Sequence, residues 1–325
     1  MHVDITATAA PAPDRDRPAG SARPSRYLDV AARSLSRLTD VGPMGLWAAT
    51  RAADGQYTAL RVTTRDGESL DRPPAARWAD SVCFRMVKGI GPRVTPDIRT
   101  EPGYADSVLG HETGTRGYAG APVVTPNGML VGSLCGVSFA PLSTVQLREV
   151  ARWRSVVEAH ADLLGVEFQA ELDRMDEARD HDRDDALRSR DKLTGLPDRR
   201  GWALLLTRED ERCAAVAEPL GVVVVSLDGA RTARALRRGV AALREVVTDD
   251  RPVVRLGGRQ FGVLAPGSTT RTVRTLSAQV EDALGGTGLR PTSGWAMRAD
   301  GTGACGAWRA AEQSQLVARR VARMP

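Results

Sequence analysis

The sequence predicts an α+β protein in which two mixed domains flank one long helix. Alternating apolar and polar runs such as MGLWAAT and YTALRVTT indicate half-buried strands in the first half of the chain. From Ser143 to about Leu187 the chain has no proline and a single glycine, which indicates a helix of roughly twelve turns. Beyond it, GVVVVSLDG and VRLGGRQFGVL indicate a buried strand and a hairpin of a second domain.

Composition and periodicity set the boundaries of these parts. Residues 1–24 are rich in Ala, Pro, Asp and Arg without apolar periodicity, so we expect a disordered tail. The segment YLDVAARSLSRL opens the first domain, residues 25–165. A hairpin in this domain is expected to turn at Asn127-Gly128 in a type I′ conformation. Residues 166–190 continue the long helix as a polar linker, and residues 191–325 form the second domain.

The charge of the chain does not indicate a nucleic-acid surface. The formal net charge of +5 comes mostly from arginines that are interleaved with aspartates and glutamates. Aromatic residues make up 4% of the chain, which leaves little material for stacking on bases. No helix is expected to carry a concentrated basic stripe, so nucleic-acid binding is not expected.

Membrane and disulfide classes are also disfavoured. No run approaches the roughly 18–20 apolar residues that span a bilayer, and the N-terminus lacks the basic start and apolar middle of a signal peptide. We therefore expect a cytoplasmic protein without membrane contact. The cysteines are too far apart to suggest a disulfide framework or a CxxC metal site, so reduced structural thiols are expected. They are Cys83, Cys135, Cys213 and Cys305.

Two phrases in the first domain carry a resemblance to a known family. WADSVCFRMVKGIGPRVTPDIRTEPGY and GYAGAPVVTPNGMLVGSLCGVS resemble the GAF domain, a small-molecule sensor module of bacterial signalling proteins. The resemblance implies a central antiparallel sheet with a pocket on one face and helices on the other. It makes the following residues candidates for the pocket: Trp78, Cys83, Asp97, Tyr104, Tyr118 and Cys135.

The sequence leaves the ligand of this pocket open. GAF domains that attach a bilin use a cysteine followed by a histidine, whereas Phe84 follows Cys83 and Gly136 follows Cys135. A haem needs an axial ligand, and His111 lies in a polar loop, where a histidine is usually solvated. The two cysteines are either sensor thiols or small core residues, and the core role is the ordinary one in apolar segments. We expect no cofactor, and the ligand is unknown.

Apolar residues on the long helix recur at steps of three, four or seven positions. We call these residues the apolar seam: Val150, Val157, Ala161, Leu164, Phe168 and Met175. Such a seam between charged positions predicts a parallel two-stranded coiled coil over residues 147–178. Its first half is also expected to pack on the sheet of the first domain, whereas ELDRMDEARDHDRDDALRSRDK is too polar to be buried alone. We therefore predict a homodimer formed through the linker helix.

The phrase DKLTGLPDRRGW, Asp191 to Trp202, carries a second resemblance. It resembles the opening turn of the GGDEF domain of diguanylate cyclases, with Asp198 at the asparagine position of that family. The hairpin RLGGRQF follows, with Gly257 and Gly258 where the family has its glycines. The resemblance covers residues 188–325 and implies an α/β sandwich of the nucleotide-cyclase type.

The resemblance also implies which residues would hold the catalytic metal. Joining two GTP molecules requires divalent cations bound by hard oxygen ligands. The family supplies carboxylates from the first Asp of an Asp-x-Asp and from the acidic pair after Gly-Gly. The matching positions are Ser226, Arg259 and Gln260, followed by Phe261, and only Asp228 is kept. We therefore predict a degenerate GGDEF domain with no metal site and no catalytic residue.

Nucleotide recognition departs from the family pattern as well. Arg234 and Ala235 stand at the positions of the two guanine-reading residues. The inhibitory Arg-x-x-Asp upstream of the hairpin is also missing, because Thr248 and Arg251 stand at its two positions. Hydrogen-bonding groups suited to the edge of guanine are therefore absent from the matched positions.

Positive charge remains at the matched phosphate-binding positions. The resemblance makes Arg231, Arg319 and Arg323 candidates for binding a phosphate or another anion. Arg259 at the hairpin either adds to this basic pocket or is an ordinary solvated turn residue, and turn tips are commonly polar.

Together these patterns predict a signal-transduction protein of cyclic di-GMP type. A GAF sensor would control a catalytically inactive GGDEF domain that contacts an unknown signalling partner protein. One alternative is a weak or non-standard diguanylate cyclase, and another is a metal-independent receptor for a nucleotide or anion.

Overall fold

The computed structural model describes residues 25–66, 75–230 and 232–322. The predicted tail, residues 1–24, lies outside the described residues, as do Arg231 and Arg323. Within the described ranges, every helix is too short or too polar to cross a bilayer.

The first half of the chain forms a six-stranded sheet with the strand order β3-β2-β1-β6-β5-β4. All neighbouring strands are antiparallel, which confirms the predicted antiparallel sheet. The strands are β1 Leu46–Ala53, β2 Gln56–Thr64, β3 Ala76–Arg77, β4 Val94–Thr95, β5 Gly117–Val124 and β6 Leu130–Ser138. The helices of this half are α1 Arg26–Val41, α2 Val82–Val87, α3 Val108–Glu112 and α4 Thr144–Ala186.

Alternation along the strands gives this sheet two buried faces. Trp47 and Ala49 of β1 pack in the same core as α1 and α4. Ala48, between them, packs on the opposite face with residues of α2. This period of two follows from the pleat of a strand, which points successive side chains to opposite faces.

The turn between β5 and β6 differs from the expectation. Only Gly128 of the Asn127-Gly128 pair has a positive φ, so the predicted type I′ turn is wrong. Pro126 precedes this pair, and the amide of Gly128 donates to the carbonyl of Thr125, which defines a turn that begins earlier. The β1–β2 hairpin instead turns at Asp54-Gly55, where both residues have a positive φ, 49° and 74°.

Helix α4 is one continuous element of 43 residues, and it begins and ends close to the predicted positions. Ser143 caps its N-terminus in a reciprocal pair with Gln146, and Leu187 caps its C-terminus. The predicted boundary between residues 165 and 166 falls inside this helix. The helix ends at Ala186, four residues before the predicted end of the linker at residue 190. The helix therefore belongs to both halves of the chain.

The apolar seam of α4 is buried within the chain itself. All six seam residues lie in one core with α1 and the first sheet. Phe168, for example, meets the ring of Tyr27 of α1 edge-to-face, with centroids 5.0 Å apart. The coiled coil predicted on this seam is therefore corrected: the seam is used for intramolecular packing and has no free surface for a second copy.

The second half of the chain forms a four-stranded antiparallel sheet with the order β10-β7-β9-β8. One face packs with α6 and α7 and the other with α5 and α8, which confirms the predicted α/β sandwich for the described residues. The strands are β7 Leu220–Asp228, β8 Val253–Gly257, β9 Gln260–Pro266 and β10 Arg290–Met297. The helices are α5 Arg199–Val216, α6 Ala233–Val246, α7 Thr270–Gly285 and α8 Gly303–Val321.

The two halves also touch away from α4. Asp54, at the tip of the β1–β2 hairpin, accepts hydrogen bonds from the amide and the hydroxyl of Thr270 at 3.0 and 2.6 Å. Thr270 is the first residue of α7, so a carboxylate of the first half caps a helix of the second. At the end of α5, Val216 packs in the core of the first half.

Candidate functional sites

The end of β7 and the β8–β9 hairpin bring the degenerate positions together. Ser226 lies opposite Gln260 of β9 on one side and opposite Thr292 of β10 on the other. The amide of Leu227 donates to the carbonyl of Arg259 at 3.0 Å. Phe261, the next residue along the hairpin, is fully buried in the core below. The structure therefore brings Ser226, Arg259 and Gln260 together around this strand end, and their functional assignment stays a prediction.

An ion pair and a hydrogen bond to the backbone hold the hairpin turn in place. Gly257 and Gly258 have φ of 141° and 51°, which L side chains rarely adopt. Arg255 donates to the carbonyl of Gly258 at 2.7 Å and to both carboxylate oxygens of Asp191 at 2.7 Å. Because Asp191 opens the turn that follows α4, the hairpin is tied to the end of the long helix. Arg259 itself projects into solvent.

The acid kept at the matched Asp-x-Asp, Asp228, is paired with an arginine. Arg319 of α8 donates from Nε and Nη2 to the carboxylate of Asp228 at 2.9 and 2.5 Å. This two-point pair uses the geometry in which guanidinium and carboxylate bind most strongly. Arg319 was a candidate for anion binding, but in this structure its guanidinium forms an ion pair with Asp228. Arg231 and Arg323, the other two candidates, are not among the residues that the structure describes.

A metal-like cluster lies elsewhere, but a guanidinium occupies it. Among the described residues, the group of three or more potential metal ligands is Glu209, Cys213 and Glu218, all buried. Arg179 of α4 donates to Glu209 at 2.6 Å and to Glu218 at 2.5 Å. Burial raises the pKa of Glu218 although Arg179 opposes it, and it raises the pKa of Cys213 far above its usual range. The cluster is a buried ion network between α4 and α5.

Helix α6 carries a row of arginines that the sequence analysis missed. Its core-facing side packs on the sheet, and its other side exposes the arginine face: Arg234, Arg237, Arg238 and Arg244. Within the described part of the chain, none of these four guanidinium groups forms an ion pair. The expectation that no helix carries a basic stripe was therefore wrong. The helical spacing of ARALRRGVAALR was the signal that would have found it.

The arginine face and the hairpin tip lie at the same end of β7. Helix α6 begins at Ala233, five residues after β7 ends at Asp228, and the carbonyl of Arg259 is bonded beside that end. Arg234 and Ala235 stand at the positions of the guanine readers, on the first turn of α6. Arg234 is exposed and Ala235 is half-buried.

In the first half, five of the six predicted pocket residues come together under α2. Cys83, Tyr104, Tyr118 and Cys135 are buried in one cluster, and Trp78 packs against it. Their rings touch: Tyr104 and Tyr118 have centroids 5.7 Å apart. We call this group, with Tyr57 and Ser133, the cysteine cluster. Ligand binding by these residues stays a prediction.

Asp97 does not join the cysteine cluster. Its carboxylate accepts from Arg116, with Nε at 2.9 Å from Oδ1, and from the backbone amide of Arg99 at 3.0 Å. The hydrogen bond from Arg116 lowers the pKa of Asp97. Asp97 thus serves as an anchor between the loop and the start of β5.

Hydrogen-bond donors converge on the thiol of Cys83. The hydroxyls of Tyr57 and Tyr118 lie 3.4 and 3.5 Å from its Sγ. The thiol of Cys135 and the hydroxyl of Ser133 also act on Cys83 and lower its pKa. These donors, Cys135 foremost, lower the pKa of Cys83 to about 6 against the effect of burial, whereas the same contact and burial raise the pKa of Cys135 far above its usual range. Tyr57 was missed because strand pairing rather than sequence proximity brings it here.

Comparisons with known proteins give similar solved structures but no family or curated relative. No family model matches the sequence, and neither does any curated protein. The GGDEF domain of DgcB from Caulobacter crescentus, in complex with c-di-GMP, is 18% identical over 42% of this chain and 92% of that one, with a TM-score of 0.40. The FimX GGDEF domain from Pseudomonas aeruginosa is 18% identical over 41% and 94%, with a TM-score of 0.37.

A third solved structure contains a protein partner. It is the diguanylate cyclase SiaD in complex with its activator SiaC from Pseudomonas aeruginosa. This structure is 21% identical over 55% of this chain and 82% of that one, with a TM-score of 0.38.

Proposed function

We propose that this chain is a signal-transduction protein in which a GAF-type sensor domain controls a degenerate GGDEF-type domain. The second domain makes no cyclic di-GMP and acts through protein contacts. The observation that carries this proposal is the end of β7, where Ser226, Arg259 and Gln260 replace acids and Arg319 neutralises Asp228. Among the described residues, this strand end therefore lacks the set of free carboxylates that would hold the divalent cations of phosphoryl chemistry.

The proposal is tested with purified full-length protein, GTP and Mg²⁺ or Mn²⁺. We expect no cyclic di-GMP above a control without protein. Product above that control would favour the alternative, a weak diguanylate cyclase. The triple variant Ser226→Asp, Arg259→Asp, Gln260→Glu is also expected to stay inactive, because Arg234 and Ala235 replace the guanine readers.

A metal-independent nucleotide receptor is the second alternative. The pair between Arg319 and Asp228 argues against it, because an entering phosphate would have to compete with a carboxylate already bound to the guanidinium. Calorimetric titration of the protein with GTP in the presence of EDTA distinguishes this receptor from a domain that binds no nucleotide. Heat of binding that disappears in Arg319→Ala would support the receptor.

For the output, we propose that the arginine face of α6 and Arg259 contact an acidic surface of a partner protein. Where α4 and α5 face each other, arginines are matched by carboxylates of the facing helix: Arg212 of α5, for example, binds Asp182 of α4 at 2.6 Å. The arginine face of α6 has no such counterpart within the described residues.

The output surface is tested by charge reversal with a matched control. Arg234→Glu with Arg238→Glu should release partners captured from native cell extract, and capture by the wild type should weaken as salt is raised. Arg271→Glu with Arg274→Glu makes the same charge change on exposed positions of α7 and should retain them. Equal loss in both variants would show a general charge effect and would contradict the assignment to α6.

We further propose that the homodimer uses the exposed side of α4 rather than the apolar seam. Apolar residues at steps of three and four form a second stripe on α4, of which Ala159, Leu163 and Val166 are exposed and Val156 and Ala170, at its two ends, are half-buried. Leu163 and Val166 are 44% and 53% exposed, which is unusual for their type. The stripe continues as Asp173 and Glu177, so like charges would face each other beyond residue 170 of a parallel pair.

Light scattering tests this dimer. Leu163→Glu with Val166→Glu should convert a dimer into a folded monomer, whereas Ala151→Glu, on an exposed position off the stripe, should leave it dimeric. A monomeric wild type at micromolar concentration would contradict the dimer altogether.

A further inference from the structure

The cysteine cluster contains two thiols of opposite character within one buried group of side chains. Cys83 lies on α2 and Cys135 on β6, and each is 3% exposed. The hydroxyl oxygens of Tyr57 and Tyr118 lie 3.4 and 3.5 Å from the Sγ of Cys83. The polar groups that act on this sulfur are the hydroxyls of Tyr57, Tyr118 and Ser133 and the thiol of Cys135.

Such a donor set favours a thiolate at Cys83. Burial of a thiol in an apolar core ordinarily disfavours its charged form, as happens at Cys213 of the same chain. At Cys83 the hydrogen bonds outweigh burial, and the pKa falls to about 6. Cys135 keeps its proton, and burial together with the thiolate beside it raises its pKa. A nucleophilic sulfur therefore sits next to a protonated one.

We propose that Cys83 and Cys135 are a peroxide-reactive dithiol and that their oxidation to a disulfide is the signal sensed by the first domain. The inference rests on the proposed function, because it assumes that this domain is a sensor. It names the class of input as a hydroperoxide, whose small size suits a site lined by packed side chains.

The chemistry balances in two steps. The thiolate of Cys83 attacks one oxygen of hydrogen peroxide, the O–O bond breaks, and the departing hydroxide takes a proton to become water. The sulfenic acid formed on Cys83 is then attacked by the sulfur of Cys135, which loses its proton as the S–S bond forms and the S–O bond breaks. A second water leaves. Two thiols and one peroxide give one disulfide and two waters.

The structure also contains a route by which the oxidised site reaches the second domain. When the thiolate is lost, Tyr57 loses its sulfur acceptor, and Tyr57 lies on β2 three residues after Asp54. Asp54 caps α7 across the contact between the two halves. A change at the cysteine cluster is thereby transmitted along one short hairpin.

The experiment starts from the full chain with Cys305→Ser, which removes the exposed thiol. Stoichiometric hydrogen peroxide should lower the mass by about 2 Da, two hydrogens, and peptide mapping should find Cys83 joined to Cys135. Cys213 is the internal control and should stay alkylatable after unfolding, because its pKa is raised. Recovery of both Cys83 and Cys135 as free thiols, or of sulfinic acid on Cys83 without a cross-link, would overturn the proposal.

Variants separate the chemistry from mere proximity. In Cys135→Ser the reaction should stop at a sulfenic acid on Cys83 that a dimedone-type reagent traps. The oxidation rate should be half-maximal near pH 6 in the wild type. Tyr118→Phe should move this midpoint upward, with a rate loss of about tenfold for each pH unit by which the pKa exceeds the working pH. An unchanged midpoint in Tyr118→Phe, or a wild-type midpoint near that of an ordinary thiol, would contradict the assigned role of the hydroxyls.

Hydrogen exchange distinguishes failure of this inference from failure of the proposed function. Oxidation should change amide exchange at the start of α7 in the wild type but not in Asp54→Ala. A disulfide that forms without any change in the second domain would overturn its role as a signal. Absence of cyclic di-GMP synthesis is measured separately and does not depend on either outcome.

Discussion

Helix α4 contacts the two domains through two kinds of side chain. The residues that pack on α1 and the first sheet, in its N-terminal part, are mostly apolar. Those that face α5, in its C-terminal part, are mostly arginines and carboxylates. Leu164 and Phe168 are fully buried against α1 and the first sheet. In the second half, Arg179 and Asp182 are matched by Glu209 and Arg212 of α5. One continuous helix is thus held to two domains by two kinds of contact.

The difference lies in what each contact requires of the rest of the chain. A large apolar side chain is stabilised by about 1.5–3 kcal/mol when it leaves water, whatever apolar surface receives it. A buried charge is stable only if its specific partners are present, and a complete buried pair contributes roughly nothing relative to apolar residues. The first half therefore depends on burial as such, and the second on a matched set of partners.

The largest expected effect breaks the apolar half. Leu164→Glu together with Phe168→Glu places two unpaired carboxylates in the core of the first domain, which should cost more than about 5 kcal/mol and unfold it. Circular dichroism and denaturant titration would show the loss.

The control for this variant is the same substitution on the adjacent exposed residue, Leu163→Glu. It should leave the fold intact, because Leu163 lies on the opposite side of the helix from the apolar seam. A folded double variant that merely becomes monomeric would mean that the seam is an intermolecular surface after all.

The next effect breaks the ionic half. Arg179→Met leaves Glu209 and Glu218 buried without their main partner, and we expect a loss of about 3–5 kcal/mol in the free energy of unfolding at pH 7. Urea titration of the variant and the wild type measures it. Arg183→Met is the matched control: its partner Asp180 is exposed, so the loss should stay below about 1 kcal/mol.

The pH dependence of the Arg179→Met variant sharpens the comparison. Burial alone raises the pKa of Glu209 and Glu218, and in the wild type Arg179 opposes this shift, so that the pKa of Glu209 ends below its usual value. Without the arginine both pKa values should rise, which favours the protonated forms. The variant should therefore regain stability as the pH falls from 7 to 5 and lose it as the pH rises. The Leu164 and Phe168 contacts carry no such dependence, and an identical deficit at both pH values would contradict the explanation.

The smallest effect concerns the contact between the domains outside α4. Asp54→Ala removes the carboxylate that caps α7 and should cost about 1 kcal/mol, with faster amide exchange confined to the first turn of that helix. Asp54→Asn keeps an oxygen acceptor and should lose less. Equal exchange in wild type and Asp54→Ala would show that the contact does not order α7.

The comparison also explains how much the sequence could predict. Apolar periodicity located α4 within one residue at each end and identified its buried side, because the seam repeats with the helix itself. It could not tell whether a seam packs on the same chain or on a second copy. The charged stretch of α4 was expected to be too polar to be buried alone. Its partners, on α5 and at Glu218 just before β7, could not be predicted because they are distant in sequence.

The candidate sites follow the same division. Motif spacing placed Ser226, Arg259 and Gln260 at one strand end, because neighbouring strands fix their register. Motif spacing did not predict the ion pair between Arg319 and Asp228, the arginine face of α6 or the hydrogen bond between Tyr57 and Cys83. Each of these depends on a tertiary contact or on solvent exposure rather than on local pattern.

The ion pair between Asp228 and Arg319 would oppose the binding of a metal ion at the end of β7. A divalent cation arriving at β7 would meet a guanidinium that already bonds the carboxylate at two points. An acid restored at position 226 would enter beside that same positive charge and strengthen its hold before any cation could gain a second ligand. A metal site at this strand end would therefore require replacement of Arg319 together with the added acid, because the added acid alone would serve as a second partner of the guanidinium.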